Sequence, residues 1–258
     1  MRGAALVTGA GRRLGRAMAL YLAGRGHPVA IHYDRSQDAA EAVAAEARAL
    51  GVPAQAFQTD LLDDAATRAL IPAVARALGP LSVLVNNASI FEYDTIRTAT
   101  PESWDRHMGS NLRAPFWLTQ DFAAQTAPAD RSGAEPRATG LVINMVDQRV
   151  LKPTPEFMTY SLAKSALWSL TRTAAQALAP DIRVNAIGPG PTMRGSRQSQ
   201  QHFDRQRAST ILQRGADQDD VTAALGYFLD APSVTGQLIC VDGGQHLGWR
   251  TPDVQGVE

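Results

Sequence analysis

The chain is poor in the features that mark secreted, metal-binding or membrane proteins. Its single cysteine, Cys240, rules out a disulfide within the chain and favours a reducing compartment. The five histidines show no metal-ligand spacing, so we predict no metal site. No apolar run approaches the length of a membrane span, and the one after Arg2 is too short for a signal peptide. We therefore expect a cytoplasmic protein without a membrane partner.

The chain also has no formal net charge, because 25 Lys and Arg residues balance 25 Asp and Glu residues. This balance argues against nucleic acid or an anionic membrane as the main partner. The chain is rich in apolar residues. Hydrophobic residues make up 45% of it and charged residues 19%, which indicates a globular protein with a sizeable core.

Strand-like and helix-like segments alternate along the whole chain. Repeated alternation predicts right-handed crossovers and a parallel sheet covered on both faces. We predict an α/β fold: a single doubly wound Rossmann-type domain over residues 1–258, with a seven-stranded parallel sheet flanked by helices. Long helices are predicted at residues 104–124 and 157–178. Residues 191–215 are polar and irregular with one short helix, and residues 247–258 form a loose tail.

A glycine-rich turn, Thr8-Gly9-Ala10-Gly11-Arg12-Arg13-Leu14-Gly15, joins the first predicted strand to the first helix. Glycines let the backbone approach a pyrophosphate, and the helix N-terminus supplies amide donors and partial positive charge. The alternative is an ordinary glycine-rich turn that binds nothing. We predict a dinucleotide site.

The choice of dinucleotide rests on conflicting residues. Asp34 ends the second predicted strand, where an acid can accept the ribose hydroxyl of NAD. Arg13, Arg35 and Ser36 instead suit a ribose phosphate. We favour NADPH, with Asp34 turned away or paired with an arginine.

Two further strand ends carry polar residues. Asp60 follows the third predicted strand and is expected either to bond the adenine edge or to cap the next helix. Asn86, Asn87 and Ala88 end the fourth strand, where open parallel sheets place ligands, although a plain Asx turn is the alternative.

The segment Tyr160-Ser161-Leu162-Ala163-Lys164 places a tyrosine and a lysine on one helix face, about one turn apart. A lysine there can lower the cost of forming a tyrosinate, and the tyrosine can exchange a proton with a substrate. A solvated surface pair is the alternative. Asp147 stands thirteen residues before Tyr160.

These elements together resemble the short-chain dehydrogenase/reductase family, from Leu6 to Gly244. The resemblance rests on the order of the glycine turn, Asp60, Asn86-Asn87-Ala88, Asn111, Tyr160 with Lys164, Pro189-Gly190 and Asp242-Gly243-Gly244. Two departures, Arg13 for the usual glycine and Asp147 for the usual serine, resemble the pteridine reductase branch and its dihydromonapterin reductases.

The resemblance implies roles for individual residues. It assigns catalysis to Asp147, Tyr160, Lys164 and Asn111, with Asn111 holding a water that connects Lys164 to solvent. It implies a cofactor site at Gly9, Arg12, Arg13, Leu14, Gly15, His32, Tyr33, Arg35, Ser36, Asp60, Leu61, Asn87, Ala88, Ser89, Tyr160, Lys164, Pro189 and Gly190. The implied substrate site comprises Arg13, Ser89, Phe91, Asp147 and Tyr160, with Phe91 either stacking on a flat ring or lying in the core.

The leading hypothesis is an NADPH-dependent pterin reductase, in which Asp147 and Tyr160 deliver a proton to a ring nitrogen. An ionised Asp147 would repel the alkoxide formed from a ketone, which disfavours the second hypothesis, a carbonyl reductase. The third is a non-catalytic NADP-binding sensor. The family is often tetrameric, so a homotetramer is expected, with the helix at residues 157–178 and the last strand at interfaces. Residues 191–215 are expected to form part of the substrate wall.

Overall fold

Seven parallel strands form one sheet in the order β3-β2-β1-β4-β5-β6-β7. The computed structural model describes residues 2–195 and 198–249. The strands are β1 Ala4–Val7, β2 Val29–Tyr33, β3 Ala54–Gln58, β4 Leu81–Asn86, β5 Gly140–Met145, β6 Ile182–Pro189 and β7 Leu238–Val241. The predicted doubly wound fold is confirmed. Most of the predicted tail, residues 250–258, lies outside the described residues.

Helices cover both faces of the sheet. They are α1 Arg13–Gly24, α2 Gln37–Ala49, α3 Asp64–Leu78, α4 Pro101–Met108, α5 Ala114–Gln125, α6 Met158–Leu178, α7 Gln200–Ala208 and α8 Gln218–Asp230. Two large clusters of buried apolar residues lie on either side of the sheet. Because the central strands are buried on both faces, β1, β2 and β5 are apolar almost throughout. Within the described part of the chain, no helix has the length and apolar character that a membrane crossing requires.

The single helix predicted at residues 104–124 is wrong in detail. α4 ends at Met108, a π-helical turn spans Gly109–Arg113, and α5 follows directly. α4 begins earlier than predicted because Thr100 accepts from the Ser103 amide, and the Ser103 hydroxyl accepts from the Thr100 amide. Single π turns inside helices are often found at functional sites, and this one contains Asn111.

Candidate active site

The glycine turn after β1 depends on two glycines that lie against each other. Gly9 has a φ of +62°, a conformation that favours glycine. A Cβ on Gly15 would lie 2.3 Å from the Gly9 carbonyl oxygen, so no side chain fits there. The turn therefore keeps its backbone open for a ligand at the carboxyl edge of the sheet.

Thr8 joins the ends of β1 and β4. Its hydroxyl oxygen accepts from the amides of Asn87 and Ala88, each at 2.9 Å. The Asn87 side chain donates to the Thr8 carbonyl oxygen at 2.8 Å, so it bridges two strands and is not a simple Asx turn.

The N-terminus of α1 has no protein side chain to satisfy it. Its N-cap, Arg12, makes no side-chain cap, and the first turn contains no acid. The first N–H groups and the helix dipole are therefore available to an anion. Beside them lies a cleft of about 490 Å³, lined by Gly9, Arg12, Arg13, Leu14, Gly15, His32, Asp34, Arg35, Asp60, Leu61, Leu62, Asn87, Ala88, Ser89, Ile90, Arg106 and Ser110.

His32 lines this cleft, but both of its ring nitrogens bond the protein. Nδ1 accepts from the Gly9 amide at 3.0 Å, so Nε2 carries the proton and donates to the Thr59 carbonyl oxygen at 3.0 Å. Burial lowers the pKa of His32 to about 4. The neutral imidazole thus holds the glycine turn against the ends of β2 and β3, and it does not serve as a charged phosphate ligand.

The segment after β2 agrees only partly with the sequence prediction. The Asp34 carboxylate pairs with Arg35 at 3.3 Å, as the NADPH interpretation allowed. The Tyr33 side chain packs in the core and does not line the cleft, so its predicted cofactor role stays a prediction. Ser36 also lies outside the lining, with its hydroxyl close to Gly11.

Asp60 lies in the cleft lining and does not cap α3. Its carboxylate accepts from the Leu62 amide at 2.9 Å. The N-cap of α3 is Asp63, which accepts from the amides of Ala65 and Ala66. Of the two roles considered for Asp60, the capping role is therefore wrong.

Asp147, Tyr160 and Lys164 come together where β5 ends and α6 begins. The Tyr160 hydroxyl donates to Asp147 Oδ2 at 2.9 Å, and Asp147 Oδ1 accepts from the Arg149 amide at 2.9 Å. Lys164 Nζ donates to the Met145 carbonyl oxygen at 2.7 Å and lies 5.7 Å from the centroid of the Tyr160 ring. The Tyr-Lys pair is buried, so the alternative of a solvated surface pair is wrong.

Burial governs the titration of these three groups. It raises the pKa of the Asp147 carboxyl and lowers that of Lys164 to about 8. Burial, followed by the charge and the hydrogen bond of Asp147, raises the pKa of Tyr160 well above 10. Arg149 acts in the opposite direction and lowers the pKa of the phenol, while the assistance expected from Lys164 stays a prediction.

A buried polar chain behind Tyr160 was not predicted from the sequence. His107 Nε2 accepts from the Glu92 amide, so Nδ1 carries the proton and donates to the Thr159 hydroxyl at 2.6 Å. That hydroxyl in turn donates to Asp94, which also accepts from the Thr159 amide at 3.1 Å. Since Thr159 directly precedes Tyr160, this chain fixes the start of α6.

Asn111 is buried, and its side chain bonds the backbone after β4. Its Oδ1 accepts from the Ile90 amide and its Nδ2 donates to the Ile90 carbonyl oxygen, both at 2.9 Å. The side-chain amide therefore anchors the segment after β4, and the water held between Asn111 and Lys164 stays a prediction.

A second cleft, of about 690 Å³, opens in front of the Asp147–Tyr160 pair. Its lining comprises Arg13, Phe91, Asp147, Gln148, Arg149, Glu156, Phe157, Tyr160, Pro189, Gly190, Pro191, Met193, Gly195, Gln198, His202, Phe203, Gln206 and Gln245. Arg13 lines both clefts and donates to the carbonyl oxygens of Arg194 and Met193 at 2.9 and 3.0 Å. Pro189 and Gly190 lie in this second cleft, while Ser89, predicted for both sites, lines only the first.

Phe91 forms an aromatic wall of this cleft. Its ring stacks on Phe157 with centroids 4.3 Å apart and meets the edge of Tyr160 at 4.6 Å. Phe91 is 43% exposed, so the alternative prediction that it lies in the core is wrong. Phe157 and Arg149, whose guanidinium lies 5.0 Å from the Phe157 centroid, were missed because no sequence spacing distinguishes them.

The described residues contain no group of three or more His, Cys, Asp or Glu side chains placed to hold a metal ion. The polar groups of both clefts are instead suited to organic ligands and phosphate.

Comparisons with known proteins agree with this geometry. A model of the short-chain dehydrogenase family matches residues 3–205. The crystal structure of FolM alternative dihydrofolate reductase 1 from Brucella suis, in complex with NADP, is 45% identical, covers 97% of this chain and 98% of its own, and has a TM-score of 0.90. The same protein from Brucella canis, also with NADP, is 44% identical, covers 98% and 97%, and has a TM-score of 0.91.

Another relative has a different activity. The 3-oxoacyl-acyl-carrier-protein reductase FabG of Staphylococcus epidermidis is 32% identical over 252 residues, which are 96% of this chain and 100% of the relative.

Proposed function

The chain belongs to the short-chain dehydrogenase family, and from this premise we propose that it is an NADPH-dependent reductase of pterin-type substrates. Dihydropterins such as dihydromonapterin or dihydrobiopterin are the proposed substrates. The observation that carries the proposal is the contact between the Tyr160 hydroxyl and the Asp147 carboxylate at 2.9 Å.

The first cleft fits the cofactor. The open glycine turn and the uncapped α1 suit a pyrophosphate. Arg12 and Arg35 in the lining suit the additional phosphate of NADPH, while Asp34 is paired with Arg35. When bound, NADPH supplies the hydride. The solved FolM neighbours, crystallised with NADP, support this choice over NADH.

The protein itself handles the proton. The Tyr160 phenol is protonated at neutral pH, where even an ordinary phenol carries its proton, and we propose that it donates to the nitrogen that is being reduced. Reduction of a C=N bond consumes one hydride at carbon and one proton at nitrogen. Asp147 orients the Tyr160 hydroxyl and accepts from N–H groups of the substrate, which a pterin ring offers. Lys164 retains the positive charge that faces the pair.

Aromatic side chains in the second cleft support a flat heterocycle as substrate. Phe91 and Phe157 present stacked rings beside Asp147 and Tyr160. Stacking on such a surface contributes roughly 0.5–1.5 kcal/mol beyond the area that is buried. Arg13 extends into the same cleft and is placed to bond a polar edge of the ring.

A carbonyl reductase remains the second candidate, because FabG proteins, named as 3-oxoacyl reductases, are 32% identical to this chain. Asp147 distinguishes the two candidate functions, because an ionised carboxylate repels the alkoxide that forms when a ketone is reduced. The expected homotetramer stays a prediction, supported by the large apolar side chains that α5 and α6 expose at Phe116 and Leu162.

The test is a panel of NADPH-oxidation assays with dihydrobiopterin, dihydromonapterin and a 3-oxoacyl thioester, each repeated with NADH. We expect pterin turnover with NADPH, and a loss of roughly 100- to 10,000-fold in kcat/KM for Asp147→Ser. Asp130→Ser is the matched control, because Asp130 is exposed before β5, at the opposite edge of the sheet. Thioester turnover without pterin turnover would overturn the proposal, and so would undiminished pterin turnover by Asp147→Ser.

A further inference from the structure

Arg149 places a positive charge in the substrate cleft, beside the pair that handles the proton. The residue belongs to the short turn Gln148–Val150, which begins directly after Asp147, and it lines the cleft together with Tyr160. Its backbone and its side chain have separate partners. The Arg149 amide donates to Asp147 Oδ1 at 2.9 Å, while the guanidinium extends over the aromatic wall. A substitution of the side chain therefore leaves the amide contact in place.

Two stacked rings hold the guanidinium of Arg149. Its central carbon lies 5.0 Å from the centroid of Phe157 and 5.9 Å from that of Phe91. A cation over the face of an aromatic ring is attracted by the negative charge density of that face. Phe91 also meets the edge of the Tyr160 ring at 4.6 Å. The aromatic wall thus lies between the charge of Arg149 and the phenol of Tyr160 and contacts both.

The charge of Arg149 is not neutralised by an ion pair. None of the salt bridges among the described residues includes it. Its guanidinium makes a long contact of 3.5 Å with the Thr154 hydroxyl, and that group and both rings are uncharged. Glu156 lines the same cleft, but it is exposed. The positive charge therefore remains available to the Asp147 carboxylate.

Asp147 needs a nearby cation to stay ionised in this position. Burial raises the pKa of its carboxyl, whereas the Arg149 amide, the Arg149 charge, the Tyr160 hydroxyl and the charge of Lys164 lower it. Lys164 directs its ammonium group at the Met145 carbonyl oxygen and not at the carboxylate. The other titratable groups that face Asp147 or line its cleft are Cys240, Arg13, Glu156 and His202.

We propose that Arg149 is a positioning residue that keeps the Asp147 carboxylate ionised for the substrate. The consequence for turnover rests on the proposed function, because an ionised Asp147 accepts N–H groups of a pterin and disfavours ketones. Arg149 transfers no proton itself, since a guanidinium stays protonated. It acts through Asp147, from a place on the wall formed by Phe91 and Phe157.

The first test measures the ionisation of Asp147 directly and needs no turnover. Protein with isotope-labelled aspartate carboxyl carbons is titrated by NMR, and the Asp147 signal is the one missing from Asp147→Asn. In Arg149→Gln, which keeps the backbone hydrogen bond, we expect the pKa of Asp147 to lie above that in the wild type. Arg149→Lys keeps a positive charge and should restore part of the difference. Equal titration of Asp147 in the wild type and Arg149→Gln would overturn the inference.

The second test follows kcat/KM for dihydrobiopterin with NADPH as a function of pH. For Arg149→Gln we expect a loss of roughly 3- to 10-fold on the acid limb of the profile and a change within about twofold on its plateau. Arg149→Lys should recover part of the loss. Arg172→Gln is the matched control, because its guanidinium also lies over a ring, that of Trp168 at 5.8 Å, but is exposed and lines neither cleft. It should leave the titration and the profile unchanged.

The two readouts separate this inference from the proposed function. If the pKa of Asp147 rises in Arg149→Gln but the wild type reduces no dihydropterin, the proposed function falls and the role of Arg149 stands. If the wild type reduces dihydrobiopterin but Arg149→Gln and Arg149→Lys share one titration and one acid limb, the charge has no role and the pterin reductase stands. A loss in Arg149→Gln that is equal at every pH would show a structural effect and would also overturn the inference.

Discussion

His32 should make the stability of this protein depend on pH, because protonation removes the buried hydrogen bond that its ring accepts from the Gly9 amide. As a neutral ring it accepts from the Gly9 amide and donates to the Thr59 carbonyl oxygen. Protonation turns Nδ1 from an acceptor into a donor that faces another N–H group. Burial opposes the same protonation, and the pKa of His32 falls from 6.5 to about 4.

The direction in which stability changes with pH follows from comparing proton binding by the folded and unfolded chains. Between these two pKa values the unfolded chain binds a proton that the folded chain does not, so acid favours unfolding. The contribution of His32 is fully present above about pH 6.5 and is lost as the pH falls toward about 4. The shift of about 2.5 units corresponds to about 3.4 kcal/mol in total, of which about 2 kcal/mol is lost between about pH 7.5 and pH 5.

The assay is urea unfolding of the wild type and of His32→Asn over that range, at one protein concentration. Asparagine does not titrate and can still accept from the Gly9 amide, although it loses the Thr59 bond. At about pH 7.5 the wild type should be more stable by roughly 1–3 kcal/mol, and the difference should shrink by about 2 kcal/mol at about pH 5. Other histidines cancel in this comparison. A difference that stays constant with pH would refute the reasoning.

Two further predictions concern the region around Tyr160. Thr159→Val keeps the side-chain shape but removes the hydroxyl that joins two buried polar groups, and urea unfolding should show a loss of roughly 2–4 kcal/mol. Thr173→Val, whose hydroxyl bonds only backbone of its own helix, should change stability by less than about 0.5 kcal/mol, and equal losses would contradict the role of the buried chain. Asp147→Asn removes a charge that raises the pKa of both Tyr160 and Lys164, so the alkaline limb of the kcat/KM profile should move to lower pH. An unmoved limb would mean that the carboxylate does not act on these groups.

Much of the fold was predictable because its determinants are local. Glycine at a positive φ, an apolar run buried on both faces and a polar residue at a strand end are each visible within a few residues of sequence. The carboxyl edge of a parallel sheet then brings such ends together without further information. For this reason Gly9, Asn87 and Tyr160, which the sequence marked as candidate site residues, all line one or the other of two adjoining clefts.

What escaped prediction depends on contacts between distant segments. The chain from His107 through Thr159 to Asp94 joins residues separated by 52 and 65 positions. Phe157 takes a left-handed conformation with a φ of +55°, which sequence propensity disfavours for a bulky residue. Its stacking on Phe91 accompanies that conformation. The π-helical turn likewise has no signature in the spacing of apolar residues.

In the proposed function, the aspartate in place of a serine separates pterin substrates from ketones. A ketone becomes a negatively charged oxygen as hydride arrives, and an ionised Asp147 at about 4 Å would oppose that charge by roughly 4 kcal/mol at an effective dielectric constant of about 20. This penalty corresponds to about a thousandfold in rate. A ring nitrogen that takes up a proton develops no such charge, so the penalty falls on carbonyl substrates alone. In the proposed reaction the Tyr160 hydroxyl, which donates to Asp147 in the free protein, turns to the ring nitrogen and supplies that proton.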